Sequence, residues 1–276
     1  MEIKIVADSS ANLQTSENRR FCSVPLKIVV GERDYVDDEK LDISAMLKAL
    51  KDYKGKSGTA CPGMDEWLCA FGDADMVLGA AITSKLSGTY NTARLAAEEY
   101  MAVHPGRKAF ILDSLSAGPE LRLIVEKYAE LVQEGADFEE ICERIKAYLS
   151  RTHLMFSLES LSNFAKNGRV SPAIAKLVGI MGIRVVGQAS ATGELEPMHK
   201  CRGEKRALAQ LYACIRQAGY TGGKVRIDHS YNAVAAVELA TMIKKDFPES
   251  DVQIGVNRGL CCYYAEEGAV LVGFET

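Results

Sequence analysis

The chain has 276 residues, 47% of them hydrophobic and 25% charged, with a net charge of −4. This is the composition of an ordinary globular protein with material for one large domain or two, and without a basic block it argues against nucleic acid as a partner. The longest nearly apolar run, residues 177–187, is too short to cross a bilayer and contains Arg184. The opening MEIKIVADSS carries charges where a signal peptide needs its apolar core. The eight cysteines form no C-x-x-C pair and the four histidines show no zinc-ligand spacing. Reduced, buried thiols in a cytoplasmic protein are expected, with no metal and no cofactor; Cys261-Cys262 reads as two thiols in a strand.

IKIVA (3–7) reads as a first strand running into Asp8-Ser9-Ser10, and SVPLKIVVG (23–31) as a second, followed by an acidic turn at 35–38. A helix is expected near 43–52. The stretch 57–62, SGTACP, opens a helix at MDEWLCAF. MVLGAAI (76–82) is a continuous apolar strand of the kind buried on both faces. YNTARLAAEEYM reads as a helix, KAFIL (108–112) as a strand ending in Asp113-Ser114, and 119–135 as a long helix closed by Gly135. Strands alternating with helices imply a parallel sheet covered on both faces.

The second half reads differently. HLMFSL (153–158) is a strand, and ESLSNFAKNG a short helix ended by Gly168. Ser171-Pro172 starts a helix as N-cap and first helical residue. Residues 183–190 and 195–202 form a hairpin, and 204–219 a helix. Strands 224–230 and 251–256 flank another helix, and AVLVGFE is a last strand. The fold class is therefore α/β: a three-layer α/β/α domain over 1–150, and a smaller α/β domain with a mixed or antiparallel sheet over 151–276.

Parallel sheets bind ligands beyond the carboxyl ends of their strands. Hydroxyls gather at four junctions there: Asp8-Ser9-Ser10, Thr59, the loop ITSKLSGTY (82–90) and Asp113-Ser114-Ser116. The loop is not a nucleotide-binding P-loop. With Gly79 as the first glycine, Ser84 stands where the second should be and Leu86 replaces the hydroxyl that meets magnesium. No G-x-S-x-G surrounds Ser84 or Ser87, so no nucleophile elbow is present, although Ser84 or Ser87 with His229 as base keeps a serine hydrolase acting on a small ester or lipid as the alternative. A phosphorylated-metabolite sensor is a weaker third reading. Capping alone explains one hydroxyl, whereas hydroxyls at several junctions point to capture of an anion at the helix N-terminus after Ser87-Gly88.

At this point the chain resembles the DegV family, bacterial fatty-acid-binding proteins that present acyl chains to a separate kinase. The resemblance rests on IVADSSANL (5–13), VPLKIVVGERDYVDD (24–38), TACP (59–62), ITSKLSGTYNTA (82–93), LDSLSAG (112–118), NGRVSP (167–172), GELEPMHKCRGEKRAL (193–208) and IDHSYNAVAA (227–236), in that order. It implies an apolar tunnel between two domains for a long-chain fatty acid, whose carboxylate meets the Thr59 and Ser87 hydroxyls near the Gly88 amide. Ser84, Asp113 and Ser114 join the candidate site, and Arg169 matches the family's glycine-arginine loop at the ligand or kinase side. The protein would then be a carrier with no catalytic residues of its own. A partner fatty acid kinase acts on the acyl group, with peripheral membrane contact when lipid is exchanged. The family's histidine-bearing loop near the C-terminus is replaced here by RGLCCYYAEEGAVLVGF (258–274), where Tyr263 or Tyr264 could offer a hydroxyl instead.

Overall fold

A computed structural model of the chain describes residues 2–15, 20–171, 174 and 182–276. In chain order, β1 (Ile3–Asp8) passes through a 3-10 turn (Ser9–Ala11) to β2 (Phe21–Val24), β3 (Lys27–Val30) and β4 (Arg33–Val36). Then come α1 (Ile43–Asp52), β5 (Ser57–Ala60), α2 (Met64–Phe71), β6 (Met76–Ala81), α3 (Thr89–Val103), β7 (Lys108–Asp113), α4 (Gly118–Gln133) and α5 (Phe138–Leu149). The remainder is β8 (Thr152–Leu158), α6 (Ser162–Lys166), β9 (Ile183–Ala189), β10 (Leu195–Arg202), α7 (Glu204–Gln217), β11 (Lys224–His229), α8 (Ala233–Asp246), β12 (Asp251–Val256), α9 (Gly259–Ala265) and β13 (Val270–Glu275).

Three sheets result. A parallel sheet has the order β2-β1-β6-β7, and a mixed six-stranded sheet the order β10-β9-β8-β13-β11-β12. The α/β class with a parallel first sheet and a mixed second sheet is as expected. β6 is buried at all six positions, as its unbroken apolar run requires of a strand covered on both faces. The third sheet, β4-β3-β5, is antiparallel and was not anticipated. Residues 23–31 are two strands in two sheets. Pro25 separates them, because its nitrogen has no hydrogen to give a ladder. Leu26 instead donates its amide to Ser9 Oγ at 3.1 Å. Tyr35 and Val36 finish β4, so the turn lies earlier, at Gly31 with φ +63°. Thr59 is consequently near the end of β5, just ahead of α2, but on the small antiparallel sheet and not on the parallel one.

The helix α5 is an addition to the elements expected from sequence, although Ile141, Ile145 and Tyr148 line one buried side and Asp137 caps it by accepting the Glu140 amide at 2.9 Å. Cys261 and Cys262 are on a helix, α9, and not in a strand. Of the eight thiols, all free, only Cys214, Cys261 and Cys262 are buried, while Cys61 and Cys69 are exposed. The helix expected from Ser171-Pro172 falls mainly on residues 172–173 and 175–181, which lie outside the described residues; Ser171 Oγ accepts the Ile174 amide at 3.4 Å.

Helix α4 joins the two large sheets. Its first turn lies directly on β13, where a Cβ at Gly273 would stand 2.5 Å from the Glu120 nitrogen and the Pro119 carbonyl carbon. Glycine is needed there for space.

Candidate ligand site

A cavity opens between the parallel sheet's loops and the face of the six-stranded sheet. Its floor comes from one buried apolar cluster that includes Leu154, Phe156, Leu158, Cys261 and Leu271, flanked by Phe164, Ala189 and Leu195. Its roof comes from a second cluster of Leu26, Ile82 and Leu260, with Ala117 and Tyr264 beside it. Strand alternation explains the floor: every second residue of β8 points the same way.

Of the sequence-predicted residues, the cavity wall brings together Thr59, Ser87 and Arg169. Thr59 Oγ1 and Tyr264 Oη share a hydrogen at 2.9 Å, and Ser87 Oγ pairs with Thr89 Oγ1 at 2.8 Å. Arg169 spans the gap between loops, donating from Nε to the Leu86 carbonyl at 3.1 Å and from Nη1 to the Asn167 carbonyl at 2.6 Å. Gly88 is exposed at the N-cap of α3, with φ −73° and ψ −4°; a Cβ there would meet nothing nearer than Cys61 Sγ at 3.8 Å. Neither conformation nor space asks for glycine at that position.

Gly88, Ser84, Asp113 and Ser114 are not among the wall residues. Asp113 accepts the amides of Ser84 at 3.1 Å and Leu115 at 3.2 Å, so it organises the loop from beneath. Ser114 is buried and turned onto its own backbone, donating to the Ser116 carbonyl and accepting the Ser116 amide. Ser116 does line the cavity. Its buried hydroxyl makes no hydrogen bond of good geometry, yet it is near enough to Glu120 to oppose the burial that pushes that carboxyl up to about 7.

Distant residues hold this wall in place. Asp8 is fully buried and accepts the amides of Ile82 at 2.6 Å and Ser10 at 3.0 Å, fixing where the 82–90 loop leaves the sheet. Burial raises its pKa to about 6, against those same hydrogen bonds. Asp37 accepts the amides of Gly259 at 2.8 Å and Leu260 at 2.9 Å, which caps α9 and aims Tyr264 at Thr59. Gly259 is required here, since a Cβ would lie 2.6 Å from Asp37 Oδ1. Next to it, Tyr263 Oη bonds to Ser57 Oγ and to Asn167 Nδ2, both at 2.9 Å. From the other side, the β9–β10 turn touches the loop: a Cβ at Gly193 would stand 2.2 Å from Thr83 Oγ1.

The polar lining is thus largely neutral hydroxyls, with the Gln188 amide, the Arg169 guanidinium and the Glu194 carboxylate also on the wall. Burial raises the Tyr264 pKa, while its bond to Thr59 and the charge of Arg169 oppose that shift; the hydroxyl stays protonated and can donate. Sequence reasoning leaves the choice between the two tyrosines open, and only the three-dimensional pairing of β5 with α9 selects Tyr264. The geometry does not support a hydrolase. Ser87 Oγ is paired with a threonine, and His229 accepts the Asn232 amide at Nδ1, 3.2 Å away, outside the cavity wall. Among the described residues no group of three or more His, Cys, Asp or Glu could hold a metal.

An α/β protein of two large sheets, with an apolar cavity between them closed at one end by hydroxyls, is built to bind an amphiphile. The chain belongs to the DegV family, whose model matches residues 2–276 under the description "uncharacterised protein, DegV family". A DegV domain-containing protein of Streptococcus pneumoniae is 41% identical over 279 aligned residues, spanning 100% of this chain and 99% of that protein. Among solved structures, a DegV family protein of Eubacterium eligens loaded with heptadecanoic acid is 44% identical with a TM-score of 0.96, covering 99% of each chain. The Streptococcus pneumoniae fatty acid kinase B3 protein loaded with linoleic acid is 40% identical with a TM-score of 0.95, covering 100% of this chain and 99% of that one.

Proposed function

We propose that this protein binds a long-chain fatty acid in the cavity and presents it to a partner fatty acid kinase, without catalysing the phosphorylation itself. The observation that carries the reading is an apolar cavity ending in a neutral hydroxyl cluster, Thr59, Tyr264 and Ser87. Each buried methylene contributes ~0.8 kcal/mol, so a long chain gains most of its affinity along the wall. Neutral hydrogen bonds add only ~0.5–1.5 kcal/mol each, so the hydroxyls chiefly fix which end faces the mouth. The Gly88 amide at the start of α3 adds a partial positive charge, and Arg169 a full one, on the side where an acyl phosphate would form. Asp113 holds the loop from beneath, while Ser84 is an exposed residue of the loop itself and Ser114 bonds to the backbone of Ser116.

The kinase partner is supported by the likeness to the kinase B3 protein. A cytoplasmic location, with peripheral contact to a membrane during lipid exchange, is the setting this reading requires; among the described residues no helix is long and apolar enough to cross a membrane. The division between ligand-loop and closing domains falls near residue 150, where α5 ends and β8 begins. Mass spectrometry of an organic extract of the purified protein tests the reading: a fatty acid is expected, and an empty extract with no uptake of added fatty acid would refute it.

A further inference from the structure

Phe156 is the aromatic residue of β8 that faces the cavity, between Leu154 and Leu158, each about 7 Å along the strand. Directly across from it in register is Gly187 of β9. Cross-strand partners put their side chains on the same face of a sheet, so a side chain at 187 would stand beside the Phe156 ring. None is there. A Cβ at Gly187 would lie 2.6 Å from Phe156 Cζ and 2.7 Å from Cε2, so the ring fills the space that a side chain would take. Gly187 sits within a regular strand and has no positive φ. Its backbone conformation does not require glycine; the ring and the Glu196 carbonyl oxygen do.

The ring therefore lies down over Gly187, along the sheet, and does not stand up into the cavity. Its other neighbour, Leu271 on β13, also faces the cavity, so leaning the other way would crowd an occupied position. Leu26, Ile82 and Leu260 line the same cavity from its roof. The width of the cavity at Phe156, here called its waist, therefore depends on how flat the ring lies against the sheet.

We propose that the Phe156–Gly187 pair is the element that decides whether a bent acyl chain fits. The proposal rests on the fatty-acid reading and goes beyond it in naming what discriminates straight from cis-unsaturated chains. A cis double bond displaces the middle of the chain sideways, so it needs width at the waist, whereas a straight chain of equal length does not. Neither residue touches the hydroxyl end, so head-group binding is not part of the effect.

Stearic and oleic acids test this, because they have the same length and differ in one cis double bond. Affinities for both are measured with the full-length protein and two variants. In Phe156→Leu the ring is gone and the waist widens: the oleate-to-stearate affinity ratio is expected to rise at least about fivefold. In Gly187→Ala the methyl lifts the ring toward the roof, and the ratio is expected to fall by a similar factor. Movement in opposite directions is a signature that general loosening of the fold does not give. Because a Cβ at 187 would also lie 2.4 Å from the Glu196 carbonyl oxygen, that variant can lose its hairpin. In that event the leucine variant, confirmed as folded by its melting transition, decides alone. A ratio within about twofold of wild type in Phe156→Leu overturns the waist while leaving fatty-acid binding intact. Wild-type protein that takes up neither acid refutes the carrier reading, and the waist with it.

Discussion

Thr59 and Tyr264 form a pair that neither residue could make alone. The threonine comes from a strand of the small sheet and the tyrosine from a helix more than two hundred residues later, yet their hydroxyls lie 2.9 Å apart. Two neutral hydroxyls that already share a hydrogen can turn toward a carboxylate without exposing a charge, so binding needs little reorganisation. Thr59→Val, Tyr264→Phe and Ser87→Ala should each weaken fatty-acid binding by ~0.5–1.5 kcal/mol, up to about tenfold in Kd by calorimetry. Thr59→Val combined with Ser87→Ala should disturb head-group orientation more, read as slower phosphorylation by the kinase. Unchanged binding and phosphorylation in that double variant would move the clamp elsewhere. A serine-reactive fluorophosphonate should leave both Ser84 and Ser87 unlabelled, since Ser87 Oγ is paired with Thr89 and His229, the candidate base, is engaged with the Asn232 amide.

Among the elements, α9 matters most to the site and gives the least sign of itself in sequence. It is seven residues, GLCCYYA, buried at nearly every position, so it shows no alternation of apolar and polar faces. Its cap, Asp37, is 222 residues away along the chain and leaves no local signature. Asp37→Ala should lower stability by ~1–3 kcal/mol in urea unfolding and also weaken fatty-acid affinity, because two buried amides lose their acceptor and Tyr264 loses its aim. A stability loss with affinity intact would show that the helix holds Tyr264 by packing alone. By contrast, β6 and α3 are legible: one is an unbroken apolar run, the other a clear amphipathic repeat behind a hydroxyl-rich loop. That loop marks the right wall of the cavity. What it cannot reveal is which hydroxyls face inward, since Ser84 and Ser87 differ only in how the turn places them. Likewise Pro25 marks a break that a purely apolar reading of 23–31 passes over, and α5 carries readable signals, a cap at Asp137 and a spaced apolar face, that the long helix before it overshadows.

At the scale of the whole molecule, buried acids set a pH dependence. Burial raises Asp8 to about 6 and Glu120 to about 7, and it also raises Asp37 and Asp228. A carboxyl whose folded pKa exceeds its unfolded value binds its proton more tightly when folded. Its contribution is therefore present in full below the unfolded value, near 4, and is lost as pH rises through the folded value. Stability should fall from about pH 4 to about pH 7 on account of these groups, opposed at the low end by Glu130 and Asp251, whose pKa values their lysine and arginine partners lower. Glu120→Gln, which keeps the acceptor for the Thr152 hydroxyl, should flatten the slope between pH 5 and 8 and gain stability at pH 8 in denaturant titrations. An identical difference from wild type at both pH values would remove Glu120 from this account.

The seat of α4 on Gly273 has a mechanical consequence. With backbone from Pro119 and Glu120 lying where a side chain would be, the two large sheets are fastened at this point and cannot part like the leaves of a book. Loading must instead draw on smaller displacements near the mouth, where the tip of the β9–β10 turn rests on Thr83. A pair of spin labels on α4 and α7 should report the same separation before and after fatty acid is added, while a pair on Glu194 and Lys85 should report a change. The rigid joint is then the frame of reference against which the motion of the site is measured.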